Sequence, residues 1–224
     1  LGLFGLLSSL HLYSRTKPMH VFCPPGLKEI IALQLKASDT RLTYELHFHE
    51  LVEKGEQLIL ETNEAEVHSF PMNHRIPCWG FKFVEKSRPK SMRGEKIREY
   101  NIPFSKVDDI RNGSDFVTED GLIIQNNELT FPAKETRTYC FCSDTIYDES
   151  IIPFTKGVDL LYHESTFAHD LIEKATNRFH STALQAATFA RKAEAKKLII
   201  GHYSSRYGDI TSLLNEARTV FANT

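Results

Sequence analysis

The sequence predicts an α/β fold with a large sheet component, and three observations predict it. The final third alternates short apolar runs with helix-patterned segments. A β-rich block of alternating residues fills much of the first half. The chain has 224 residues, 41% hydrophobic and 25% charged, which is the composition of an ordinary globular protein with enough material for a real core.

The elements follow in order. "LGLFGLLSSLHLY" is apolar but carries neither a basic leader nor a small-residue cleavage site, so it reads as a turn feeding a buried helix rather than a signal peptide. Such an apolar start needs cover. "KPMHVFCPPGLKEIIALQLKA" predicts a strand, a turn at Pro24-Pro25-Gly26 and a helix with Leu27, Ile30, Ile31 and Leu35 at helical spacing. "TYELHFHEL" alternates, "EQLILET" is a strand, and "AEVHSFPMNHRIPCWGFKFVE" is two strands around a polar turn.

From Lys82 to Asn112 the pattern breaks, with no sustained apolar face. Between Lys82 and Tyr100 seven Lys/Arg face three Glu, a local net charge of +4 in a chain whose overall charge is −2. This segment is either a solvated loop of mixed charges or a basic insertion that meets an anionic partner. "DFVTEDGLIIQNN" then predicts a hairpin turning at Asp120-Gly121. "RTYCFCSDT", "VDLLYHES" and "KKLIIGHY" are strands. "STALQAATFARKAEA" and "DITSLLNEARTVFA" are helices, the second with Asp209 near its N-cap.

No apolar run reaches the length of a membrane span. Cys23, Cys78, Cys140 and Cys142 form no C-x-x-C pair and read as reduced, mostly buried thiols of a cytoplasmic protein.

Polar clusters recur where strands end. His74 follows "SFPMN", Asp144 follows "CFCS", His163-Glu164 follow "DLLY", and His202 follows "LIIG". His180-Ser181-Thr182 stand at a helix start. Rigid strands deliver side chains to one edge of a sheet, and imidazole and carboxylate suit zinc or manganese. A single strand-end histidine is ordinarily a hydrogen-bonded structural residue; the recurrence is what points to a site. In "HFHE" alternation puts His47 and His49 on one face, a possible metal pair that a plain strand explains as well.

These residues resemble, in order and over nearly the whole chain, the ribonuclease Z family: tRNA 3′-processing endonucleases of the metallo-β-lactamase superfamily. "GLFGLLSSL" resembles the segment after the family's first metal motif, and "VFCPPGLKEII" its strand-to-helix turn. "NHRIPCWGFKFVEK" resembles the element that brings a metal-binding histidine, and "FCSDT" the Ser-Gly-Asp-Thr that brings a bridging aspartate. "HESTF", "FHSTALQAA" and "GHYSSRY" resemble its His-Glu-Ala-Thr-Phe, His-Ser-Thr and His-x-Ser-x-Arg-Tyr motifs.

The resemblance implies an αββα sandwich forming a single domain over residues 1–224, with an inserted basic arm at about 82–112 that grips tRNA. It implies that His74, Asp144 and His202 hold metal, two Zn2+ per subunit with Mn2+ as the alternative, and that His180 donates a proton near the leaving group, held by Glu164. Arg206 would face substrate phosphate, and Lys86, Arg88, Lys90 and Arg93 would supply the grip of the arm. It implies hydrolysis of precursor tRNA to leave a 3′-hydroxyl, and a homodimer away from any membrane.

The family's H-x-H-x-D-H motif and opening strands would precede Leu1, so the 224 residues alone are expected to bind metal weakly and to be inactive. The arm lacks the Gly-Pro turn that many relatives carry after "NIP". Two rival readings remain: a phosphodiesterase of the same fold acting on small substrates, and a non-catalytic RNA-binding relative.

Overall fold

The computed structural model describes residues 2–52 and 54–224, so Leu1 of the apolar opening lies outside the described residues. In chain order the elements are α1 (Leu3–Leu12), β1 (Met19–Cys23), α2 (Leu27–Ala37), β2 (Leu46–Glu50), β3 (Gln57–Glu61), β4 (Ala65–Met72) and β5 (Cys78–Glu85). Then come α3 (Gly94–Glu99), α4 (Phe104–Arg111), β6 (Phe116–Val117), β7 (Ile123–Ile124) and α5 (Asn126–Leu129). The last stretch is β8 (Thr138–Cys142), α6 (Ile152–Thr155), β9 (Leu160–Glu164), α7 (Ile172–Asn177), α8 (Ala183–Lys192), β10 (Leu198–Gly201) and α9 (Thr211–Arg218). The class is α/β, as the sequence predicts. The chain divides into two compact units: Leu1–Leu60, Val67–Lys82 and Tyr139–Thr224 form the first, and Glu61–Glu66 with Phe83–Thr138 the second.

The first unit is built on a sheet of strand order β10-β9-β8-β5-β4-β3. Strands β8, β9 and β10 are parallel, with Cys142 beside His163 and Gly201 beside Glu164. Leu161, Leu198 and Ile200 are buried while Ile199 is exposed at the edge strand, and the apolar runs "LLY" and "LIIG" made both strands legible. Helix α8 buries Ala183, Ala186, Ala187, Phe189 and Ala190 in the core that holds Phe70, Cys140, Cys142, Leu161 and Leu198. Its alanine face lets the helix approach closely, and Phe189 fills the remaining space. Thr182 caps it: Gln185 N donates to Thr182 Oγ1 at 3.2 Å, and Thr182 N donates to Gln185 Oε1 at 3.0 Å, a reciprocal capping box.

Strands β1 and β2 form a separate parallel pair. Leu46 and Phe48 pack on a cluster of Leu7, Ile31 and Tyr44, and Tyr44 Oη donates to the Leu7 carbonyl at 2.8 Å. Helix α1 therefore has cover at Leu7, while Leu6 and Leu12 are exposed. Ile30, expected on the buried face of α2, is 60% exposed; Leu27, Ile31 and Leu35 carry the contact. Alternation does put His47 and His49 on one exposed face. They stack with His20 there, and His20 Nδ1 lies 2.8 Å from His49 Nε2.

The second unit contains the segment 82–112 from Phe83 onward, and it is folded rather than a solvated loop. Ile102 and Ile110 join Phe116, Ile124 and Leu129 in a small core, with Met92, Ile97 and Tyr100 against it. The expected hairpin β6–β7 belongs to this core, and Gly121 takes a φ of +85° at its turn. Buried Asn126 ties the pieces: its amide donates to the carbonyls of Ile110 and Ser114, and its oxygen accepts from Lys90 Nζ at 2.7 Å. Glu85 and Arg137 meet where the chain enters and leaves the unit, with Glu85 N donating to the Arg137 carbonyl at 2.9 Å. Lys82 belongs to the first unit, so the basic stretch brings a net +3 to the second, which as a whole carries ten Lys/Arg against thirteen Asp/Glu and is therefore net negative.

Among the described residues no helix is long and apolar enough to cross a membrane. All four cysteines are free thiols.

Candidate active site

The carboxyl ends of β8, β9 and β10 lie at one edge of the sheet, because the strands are parallel. From that edge the chain presents Asp144, Glu164 and His202, two residues beyond, at the end of or one residue beyond its strand, respectively. His202 takes a φ of +60°, the left-handed region, which costs a non-glycine residue about 1–3 kcal/mol and is found where a side chain must be aimed. Phe179, just before His180, is held in the same region at +57°.

Glu164 is wholly buried and its carboxylate is saturated. Oε1 accepts from His180 Nδ1 at 2.7 Å and from Thr145 N at 3.1 Å; Oε2 accepts from Thr166 N at 3.0 Å and Thr166 Oγ1 at 2.8 Å. Burial pushes this carboxyl up, but the bonds from His180, Thr145 and Thr166 outweigh it and hold it below its ordinary value. The same bond raises the His180 imidazole above its ordinary value, against the opposing effect of burial. Both directions describe one ion pair.

Neighbouring His163 points the other way. It is fully buried against Phe189, its Nδ1 donates to the Glu164 carbonyl at 2.8 Å, and its Nε2 has no partner among the described residues. Burial lowers its pKa and keeps it neutral. The adjacent His-Glu pair at the end of β9 therefore splits between structure and site.

Two further imidazoles lie beside that of His180. The ring of His180 is 5.3 Å from that of His74 and 5.2 Å from that of His202. Each is held through Nδ1: His74 by the Phe179 carbonyl at 2.9 Å, His180 by Glu164, and His202 by Thr166 Oγ1 at 2.8 Å. A ring held in this way through Nδ1–H leaves Nε2 as the atom free to act at the site. His202 Nε2 faces Asp144 Oδ1 at 3.3 Å, so two acceptors confront each other. Ligand bonds of about 2.0–2.2 Å put neighbouring donor atoms roughly 3.0–3.5 Å apart, so the pair suits a divalent cation. Asp144, His180 and His202 offer ligand atoms that all lie within 4.8 Å of one another. The donor set fits zinc or manganese. The grouping differs from the sequence expectation in one respect: it takes His180 where His74 was expected, and His74 flanks it.

Two contacts brace the edge. Asn73 Nδ2 donates to Asp148 Oδ2 at 3.1 Å, and Ile146 N donates to the Asn73 carbonyl at 2.9 Å, which ties the loop after β8 to the turn that carries His74. Arg206 is exposed; its guanidinium lies 5.1 Å over the ring of Phe167, which meets His180 edge-on at 6.3 Å. The sequence reading assigned no role to Thr166, Phe167, Asn73 or Asp148. Thr166 sits two positions past Glu164, and only the tertiary approach of His202 gives its hydroxyl a second partner.

The four arm cations lie in the second unit and are not alike. Lys86 pairs with Glu61 and lies 3.6 Å from Glu66, and Arg88 is exposed 3.7 Å from Glu64. Lys90 is consumed by Asn126. Arg93 donates to the Thr130 carbonyl at 3.1 Å and lies over Phe131.

The chain is 45% identical over 224 residues to a Ribonuclease Z of Cytophaga hutchinsonii, an alignment that spans all of this chain and 71% of that protein. Among solved structures, the short form of human tRNase Z superposes with a TM-score of 0.65 at 25% identity, over 92% of this chain and 68% of that one. The metallo-β-lactamase fold protein YhfI of Bacillus subtilis superposes with a TM-score of 0.59 at 16% identity, over 98% of this chain and 66% of that one. The fold is the metallo-β-lactamase fold. No protein-family model matches the chain.

Proposed function

This chain belongs to the ribonuclease Z family, and from that premise we propose that it is a metal-dependent endoribonuclease that removes the 3′ trailer of precursor tRNA by phosphodiester hydrolysis. The products are a 3′-hydroxyl on the tRNA and a 5′-phosphate on the trailer. The observation that carries this reading is the buried Glu164 carboxylate bonded to His180 beside the Asp144–His202 pair.

Asp144, His202 and His74 are the residues that would hold metal, zinc in the first instance. A divalent cation held there would supply Lewis-acid chemistry: a more acidic water and compensation of charge on the phosphodiester oxygens. His180 acts as the general acid: Glu164 fixes its Nδ1–H, so a proton on Nε2 faces outward, toward the leaving oxygen. His74 and His202, held by a carbonyl and a hydroxyl instead of a carboxylate, keep their Nε2 lone pairs for ligation. Arg206, stacked on Phe167, presents a guanidinium fork to a phosphate. Lys86, Arg88, Lys90 and Arg93 contribute to holding RNA, Arg88 most directly because it is exposed. The protein works in the cytoplasm as a homodimer.

The test is incubation of the full-length protein with a 3′-extended precursor tRNA, with the cut mapped and a chelator control. Chelator-sensitive cleavage beside the discriminator base supports the reading. Chelator-insensitive cleavage, or cleavage of small diesters alone, overturns it.

A further inference from the structure

We infer that Thr166 is a positioning residue through which the single carboxylate of Glu164 sets the tautomers of two histidines, His180 directly and His202 by relay. A threonine hydroxyl has one proton. Here that proton goes to Glu164 Oε2 at 2.8 Å, because an ionised carboxylate can only accept. Toward His202, Thr166 Oγ1 can therefore only accept, and at 2.8 Å it takes the proton of Nδ1–H. His202 is left with its lone pair on Nε2, the atom that faces Asp144.

The relay is preorganised. Thr166 is 6% exposed, its own N–H also binds Glu164, and its carbonyl accepts from Ser204 N at 3.1 Å, which holds the chain just past His202. Glu164 cannot rotate to release the hydroxyl, because both of its oxygens are engaged on opposite sides. The hydroxyl carries this function and the methyl group does not, so serine should replace threonine and valine should not.

The inference rests on the ligand role proposed for His202, and the experiment separates the two. In metal-free protein the ring nitrogens of His202 are read by long-range 1H–15N correlation in the unaltered chain, T166S and T166V. The unaltered chain and T166S should show Nδ1–H, and T166V should shift toward Nε2–H or a mixture. Zinc affinity, measured by chelator competition, should fall about 10–100-fold in T166V and stay within a few-fold in T166S. An unchanged His202 tautomer in T166V overturns the relay, as does an equal loss of affinity in T166S and T166V. Zinc binding is read on the full-length protein; if that protein in its unaltered form binds no zinc, the ligand reading fails, while the tautomer data still decide the relay.

Discussion

Glu164 Oε1 and His180 Nδ1 lie 2.7 Å apart, with the carboxylate wholly buried and the imidazole facing the edge of the sheet. Removing the charge but keeping the shape, as Glu164→Gln, should lower kcat by about 10²–10⁴-fold, the range of a positioned general acid. The alkaline limb of the rate profile should also move to lower pH, because the carboxylate is what raises the His180 pKa. The pair's stability contribution has two edges. The Glu164 share is present above its ordinary value of 4.5 and is lost as pH falls through its depressed one; the His180 share is full below 6.5 and is lost as pH rises through its raised one. A kcat profile for Glu164→Gln with an unmoved alkaline limb would remove His180 from the acid role.

His163 should make the protein acid-sensitive. Its folded pKa is depressed by burial, so the unfolded chain binds the extra proton and stability falls as pH drops below about 6.5. The slope from one such group is at most about 1.4 kcal/mol per pH unit. Urea unfolding of His163→Leu between pH 5 and 7 should show a shallower dependence than the unaltered protein. Parallel curves would place the acid sensitivity elsewhere.

Gly201 has no room for a side chain. A Cβ there would lie 2.7 Å from Cε2 and 2.8 Å from Cζ of the Tyr162 ring on the adjacent strand. Gly201→Ala should cost about 1–3 kcal/mol by overpacking and should disturb His202 next to it. Chemical denaturation reads the cost, and a compensating Tyr162→Leu in the same chain should recover most of it.

The arm should be separable from the chemistry. The Glu85–Arg137 junction lets residues 86–136 be replaced by a short Gly/Ser link, which should abolish precursor tRNA cleavage and leave hydrolysis of an activated small diester within a few-fold. Point changes should sort by role. Arg88→Ala should weaken RNA binding and reduce the salt slope by about one. Lys90→Ala should instead destabilise the second unit, because Asn126 loses a partner among its buried contacts. Equal effects of the two on binding and on melting would contradict that division.

The C-terminal strands and helices were legible because each is a short apolar run ended by its own local signal, such as Thr182 with Gln185 or Asp209, whose carboxylate accepts from Thr211 N. Of the second unit, the hairpin turning at Asp120-Gly121 was legible and the core around it was not. Its core draws single residues from α3, α4, both strands of a short hairpin and α5, so no window shows a period. The acidic neighbours of the basic stretch were hidden for a related reason: Glu61, Glu64 and Glu66, which meet Lys86 and Arg88, are remote in sequence. At the site, the strand-end residues were readable one by one. The Thr166 link was not, since it depends on two strand ends lying side by side.

The charge balance of the second unit bears on how RNA arrives. With thirteen acidic groups against ten basic ones, the unit exerts no net long-range pull on a polyanion, so the encounter rate gains little from steering. If the unit holds RNA as proposed, capture would depend on contacts made after collision, over a few ångströms, by the cations that reach the surface. Bystander polyanions such as DNA or unstructured RNA would then not be concentrated there, and residence would fall to a molecule whose backbone matches the spacing of those cations.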